Sequence, residues 1–195
     1  TLDDLVLSGN LCDAAGVEGA FCDGLLKNST LKSLYFSACR LGDQGVKALC
    51  EGPLKQHKSL QHVSLSYNRL NESVVTSINA ALATNKVLQY LDLSGNSLGK
   101  DGAQALAKGL KGTKTLQKLS VAQNCIYAAG AKALSEHFMS PEGANLIFLD
   151  LRHNSVGYHG VREIREMCGR PIDSDEHNDG WLMVFGERQL YVSGL

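Results

Sequence analysis

Two aspartates, Asp92 and Asp150, stand at matching places in Leu91-Asp92-Leu93 and Leu149-Asp150-Leu151, and paired carboxylates are common equipment for acid–base work. The residue at the corresponding place between them is Ser120, which has neither a base to activate it nor a metal-binding neighbour. The 6 histidines are scattered without metal-ligand spacing, and the 6 cysteines include no Cys-x-x-Cys pair. Gly95 to Lys100 is a phosphate loop only in outline: it is one residue short between its glycines, and Asp101 stands where Ser or Thr must bind magnesium. These residues predict no catalytic group, no metal site and no cofactor. The carboxylates read instead as decoration of a surface, so the question becomes what positions them.

Both aspartates belong to a recurring pattern, Leu-x-x-Leu-x-Leu-x-x-Asn-x-Leu, whose first position falls at Leu2, Leu31, Leu60, Leu88, Leu116 and Leu146. The spacings are therefore 28–30 residues. A period that regular predicts a solenoid. The next two apolar columns read Leu5 and Leu7, Leu34 and Phe36, Val63 and Leu65, Leu91 and Leu93, Leu119 and Val121, Leu149 and Leu151. Alternation at period 2 makes each pair the inner face of a short strand.

Past the strand comes a column of amides, Asn10, Asn68, Asn96, Asn124 and Asn154, interrupted by Cys39 in the second unit. Each Asn can bond the backbone of the neighbouring coil, forming a ladder whose loss costs about 1–3 kcal/mol per member. Cys39 breaks the ladder, so its coil is expected to lean on its neighbours there. Gly16, Gly45, Gly102, Gly130 and Gly160 follow at a fixed offset, with Val74 in the third unit, and suit a crowded turn into a helix. Beyond them the apolar spacing is helical, as in Ala103, Leu106 and Leu110 or Ala131, Leu134 and Phe138. Each unit is thus strand, loop, helix, and the predicted class is α/β: a right-handed solenoid, or horseshoe, of six such units with strands on its concave face.

Residues 1–169 hold the six units, and residues 170–195 read as a capping loop and β-hairpin. Pro171 stops the last helix, Asp173 to Asp179 is acidic, and Trp181 to Phe185 and Leu190 to Val192 read as strands around Gly186-Glu187-Arg188. Such a hairpin, carrying the only Trp, is expected to lie as a lid over the last coil. Thr1 and Leu2 open inside a repeat with no polar cap, which predicts further repeats or another domain upstream. With 44% hydrophobic and 20% charged residues, a net charge of −1 and a pI near 6.6, nothing calls for nucleic acid or a membrane surface. Cysteines at repeat columns (Cys12, Cys39) and on helical stretches (Cys22, Cys50, Cys168) fit a reducing, intracellular setting, nuclear or cytoplasmic. Asn28-Ser29-Thr30 and Asn71-Glu72-Ser73 match the glycosylation tripeptide, a pattern short enough to arise by chance.

What remains is the concave surface. One outward column reads Asp4, Ser33, His62, Tyr90, Lys118, Phe148, and the next reads Val6, Tyr35, Ser64, Asp92, Ser120, Asp150. Nearer the strand ends lie Gly9, Ala38, Tyr67, Gly95, Gln123 and His153. Tyr35, His62, Tyr67, Tyr90 and Asp92 form a middle patch, and Phe148, Asp150, Arg152 and His153 form a distal one. Rigid rings with small neighbours suit a protein-binding hot spot. The competing reading is cross-strand pairing that only steadies the sheet. The expected activity is non-catalytic binding of a protein partner, without a small-molecule substrate.

These columns resemble the ribonuclease-inhibitor-like class of leucine-rich repeat over Leu2 to Cys168, and Leu88 to Ala103 is nearly its consensus. The resemblance implies an intracellular module that grips another protein. A narrower resemblance, in Ser64 to Asn68, Ala38-Cys39 and the closing Gly180 to Leu195, is to the C-terminal repeat domain of the Tonsoku-like proteins. That likeness implies a nuclear scaffold handling chromatin and replication–repair proteins. Two other members of the class stay open, a regulatory repeat domain of a Ran-type GTPase activator and the sensor array of a NOD-like receptor. Arg40 and Arg69 lie in loops where the first would need an arginine, but the acidic run is short for its tail.

Overall fold

The computed structural model describes residues 2–169, 181–185 and 187–193. The sequence-predicted stop at Pro171, the acidic run Asp173 to Asp179 and Gly186 lie outside the described residues, as does the side chain of Trp181 on which the lid reading partly rested.

The alternating pairs pack inward at strands of three or four residues: β1 (Asp4–Val6), β2 (Ser33–Tyr35), β3 (His62–Ser64), β4 (Tyr90–Asp92), β5 (Lys118–Ser120) and β6 (Phe148–Leu151). They pair in parallel and in step, so that Leu5, Leu34, Val63, Leu91, Leu119 and Leu149 form one row. The returns are made by α1 (Ala14–Val17), α2 (Ala20–Lys27), α3 (Gly42–Leu49), α4 (Val75–Thr84), α5 (Gly99–Leu110), α6 (Tyr127–Met139) and α7 (Gly157–Met167). Strand leucines meet Val46, Leu49, Ile78, Leu106, Leu134 and Ile164 of the helices in one continuous core, each of these at most 2% exposed.

The recurrent glycines are explained by distance. A Cβ at Gly130 would stand 2.8 Å from that of Ala103, and one at Gly160 would stand 2.6 Å from that of Ala128. Successive helices therefore touch through these points, and any larger residue would push the coils apart. The third coil, with Val74, uses a 3₁₀ turn (Glu72–Val74) at this place. Coil 2 is closed by a π-type turn (Cys50–Leu54) containing Pro53. Burial there, with Glu51 adding to it, pushes the Cys50 thiol up to about 12.

At the C-terminal side the expected hairpin covers the last coil by extending its sheet. β7 (Trp181–Phe185) and β8 (Arg188–Val192) form this hairpin, and it lies in the sheet. β8 pairs in parallel with β6, and β7 runs antiparallel outside it, giving the order β1-β2-β3-β4-β5-β6-β8-β7. Leu190 falls opposite Leu149 and continues the leucine row, and both Leu190 and Val192 are fully buried. The strand starts at Arg188 rather than Leu190, because Gln189 N donates to Ile147 O at 2.7 Å just as Phe148 N donates to Gln117 O one coil earlier. Arg188 itself reaches under the sheet. Its Nε donates to Leu146 O at 3.0 Å, its Nη2 donates to Gly143 O at 3.0 Å and to Phe138 O, and its guanidinium lies 4.0 Å from the Phe138 ring centre. A cation among carbonyls at the end of α6 offsets the negative end of the helix dipole.

Candidate protein-binding face

Behind the strands, the amide column forms a chain of hydrogen bonds between coils. Asn68 Oδ1 accepts from the Cys39 and Leu41 amides at 3.1 Å, Asn96 Oδ1 accepts from Asn68 N and Leu70 N, and Asn154 Oδ1 accepts from Asn124 N at 2.7 Å. In the other direction each Nδ2 donates to a carbonyl of the preceding coil: Asn68 to Phe36 O, Asn96 to Leu65 O, Asn124 to Leu93 O and Asn154 to Val121 O. Cys39 keeps half of this role, since its thiol donates to Leu7 O at 3.0 Å while Cys12 N turns to the Cys39 carbonyl at 3.1 Å. Asn10 is exposed, and its amide donates to Leu7 O of its own coil.

This ladder fixes the strand ends and hence the column on which Tyr67 stands. Ala38, Tyr67, Gln123 and His153 hold left-handed φ of 54–57°, and Gly9 and Gly95 fill the same column at 79° and 66°. A bulky residue there costs about 1–2 kcal/mol relative to glycine. Tyr67 is nonetheless kept, 54% exposed, with its ring laid over Gly95 and its hydroxyl donating to Gln123 Oε1. Any side chain at Gly95 would overlap that ring.

The rest of the middle patch lies on β2, β3 and β4. His62 and Tyr90 are tilted against each other with centres 6.3 Å apart, both half-buried, beside the half-buried Tyr35. Burial, with smaller effects from Asp92, Asp150 and Tyr35, pushes the Tyr90 phenol up to about 12, so it stays a neutral donor. Asp92 accepts from Ser94 N at 2.9 Å and from Ser64 Oγ at 2.9 Å. Around it runs a web of hydroxyls, with Ser37, Ser64 and Ser66 linked at 2.8–3.2 Å and Ser94 bonded to Ser120 at 2.6 Å. A hydroxyl network of this kind has no spacing of its own in a sequence.

In the distal patch Asp150 is 4% exposed and sits beneath Arg152, whose Nε and Nη2 reach its two oxygens at 2.9 and 2.7 Å. What this coil presents outward is the guanidinium, not the carboxylate. Asp92 and Asp150 lie two strands apart, about 10 Å, and do not converge on a common point. Phe148 and His153 flank the pair, His153 N donating to Ser193 Oγ at 2.7 Å. Tyr191, missed in the sequence, completes the patch: it pairs with Asp150 across β8, packs 5.4 Å from Phe148 and lies 5.0 Å below the Arg152 guanidinium. Its signal was the alternation Leu190-x-Val192, hidden because the hairpin lacks the repeat's leading leucine. Lys100, in the phosphate-loop outline, pairs with Asp101 at 3.6 Å at the start of α5. Among the described residues no group of His, Cys, Asp and Glu is placed to hold a metal ion, and no helix is long and apolar enough to cross a membrane.

The family described as Leucine Rich repeat matches residues 27–50, 84–107 and 114–135, each stretch containing most of one coil. The fold is the leucine-rich-repeat fold. Among solved structures, the leucine-rich-repeat chain is similar to leiomodin-1 actin-binding site 2, with 24% identity, a TM-score of 0.55, and 60% of this chain and 68% of that one covered. It is likewise similar to the tropomodulin C-terminal domain of Caenorhabditis elegans, with 13% identity, a TM-score of 0.62, and 77% and 90% covered. Identities this low show the shared repeat fold alone. No curated protein matches the leucine-rich-repeat chain.

Proposed function

We propose that this chain is a non-catalytic interaction module that holds a protein partner on its concave face. The observation that supports it most is Tyr67, a strained and exposed ring where two other coils use glycine, next to the half-exposed Tyr35, His62 and Tyr90. Rings held this firmly lose little entropy on binding. The distal patch of Arg152, Tyr191 and Phe148 extends the same surface by two strands.

The test is affinity capture from nuclear and cytosolic extracts, comparing the wild type with a Tyr35→Ala, Tyr67→Ala, Tyr90→Ala variant whose circular dichroism is unchanged. A partner retained by the wild type and lost by the variant is the expected result, whereas equal capture by both would move the site off this face. Tyr67→Gly separates fold from function further: it relieves the left-handed strain, so stability should hold while binding falls. A narrower reading, a nuclear scaffold for replication and repair, is supported by the Tonsoku-like closing stretch and gains from a partner of nuclear source. The similarity to a leiomodin-1 actin-binding site supplies a third arm, cosedimentation with actin filaments, in which binding lost in the same variant would name the partner.

A further inference from the structure

Asp150 and Asp92 occupy the same column, and their carboxylates are oriented by the same bond. Oδ1 of each accepts the backbone N–H two residues on, from Arg152 at 3.1 Å and from Ser94 at 2.9 Å. At Asp150 the remaining acceptor positions hold the Arg152 guanidinium, which rests on the Tyr191 ring. At Asp92 the residue matching Arg152 is Ser94 and the residue matching Tyr191 is Ser120, and their hydroxyls bond each other flat against the sheet. Asp92, whose Oδ2 also accepts from Ser64 Oγ at 2.9 Å, has no arginine or ring laid over it in this way and stays half-buried where Asp150 is 4% exposed. Among the described residues no cation pairs with Asp92: the ion pairs involve Asp3, Asp101, Asp150, Glu163 and Glu166, and the exposed Lys118 on β5 makes none. A half-buried carboxylate beside Tyr90 and without a counter-ion is the charge complement of a guanidinium.

We propose that the partner inserts an arginine side chain at Asp92, its guanidinium lying against that carboxylate as Arg152 lies against Asp150, with Tyr90, in the column of Phe148, beside it. The proposal rests on the concave face being the binding surface and names the chemistry it reads. Arginine rather than lysine fits because the seat, like its filled counterpart, offers planar acceptors that a forked donor meets two at a time.

The test titrates the isotope-labelled 195-residue chain with N-acetyl-arginine amide and follows backbone amide shifts by NMR. The expected result is saturable shifts centred on Ser64, Asp92, Ser94 and Ser120, with a Kd on the order of 10 mM. The uncharged isostere N-acetyl-citrulline amide should leave these signals in place, and N-acetyl-lysine amide should bind about tenfold more weakly. Asp92→Asn keeps the acceptor for Ser94 N and should weaken arginine binding about tenfold. Ser94→Arg should fill the seat from within and abolish the response. Equal shifts with citrulline or lysine, or an undiminished response in Asp92→Asn, would overturn the proposal. A captured partner that is lost on Tyr35→Ala, Tyr67→Ala, Tyr90→Ala but held with full affinity by Asp92→Asn would also remove the arginine seat, while leaving the concave face as the binding surface.

Discussion

The first and sixth coils carry the same pattern of leucines and the same Asn, yet they are physically different objects. In the first, Leu2 is 54% exposed, Leu5 and Leu7 are only half-buried, and Asn10 bonds only within its own coil. In the sixth, Leu149, Leu151 and Asn154 are fully buried, because β8 supplies Leu190 and Val192 on the far side. A repeat sequence therefore does not carry its own stability. The neighbours confer it, and the same residue is worth kilocalories or almost nothing according to what lies next to it.

Removing residues 181–195 should make the sixth coil resemble the first. Uncovering the partners of Met183, Leu190 and Val192 should cost on the order of 5 kcal/mol, read by chemical denaturation together with dye binding to exposed apolar surface. An equally stable, soluble truncation would mean the hairpin contributes nothing. Asn124→Ala comes next, at about 3 kcal/mol, since the amide bonds three carbonyls and sits in the interior of the ladder. Arg188→Met should cost about 2 kcal/mol by leaving the carbonyls of Phe138, Gly143 and Leu146 without their donor. Hydrogen exchange should then quicken in β8 before β2, and uniform exchange would argue against a local anchor.

Acidification discriminates less, because among the described residues His57 is buried in one half and His137 in the other. Burial lowers the pKa of both His57 and His137, and Lys111 and Arg188 add to the effect at His137. The unfolded chain thus binds the proton more readily than the folded one. Stability should be full above the ordinary histidine value of 6.5 and decline as pH falls below it. His57 Nδ1 accepts from Leu60 N at 3.1 Å, so loss of that bond would appear as faster exchange at Leu60, and a flat stability between pH 7 and 5 would contradict it. The smallest effect closes the comparison: Asn10→Ala should change stability by less than about 0.5 kcal/mol, and a loss as large as that of Asn124→Ala would show that the two ends are equivalent after all.

Much of this was legible because a repeat reports each position six times. The inward leucines, the glycines between helices and the amide column are demanded by contacts that recur in every coil, so substitutions such as Val74 stand out at once. What escaped had no period. The seventh parallel strand enters from a hairpin, and so Tyr191 fell outside every column. The burial of Asp150 depends on one non-recurring residue, Arg152, folding back two positions. The left-handed backbone at Tyr67 was disguised because only Gly9 and Gly95 betray it by residue type.

Tyr67 has one more consequence. Its ring starts on the third coil, crosses Gly95 of the fourth and ends in a bond to Gln123 of the fifth, so it acts as a tie rod across the mouth of the horseshoe. The distance it spans is set by how tightly the coils fan. A ligand that took the hydroxyl away from Gln123 would unfasten the rod. On the proposed reading, recognition at this ring would also be a mechanical event, in which the bending stiffness of three coils enters the affinity.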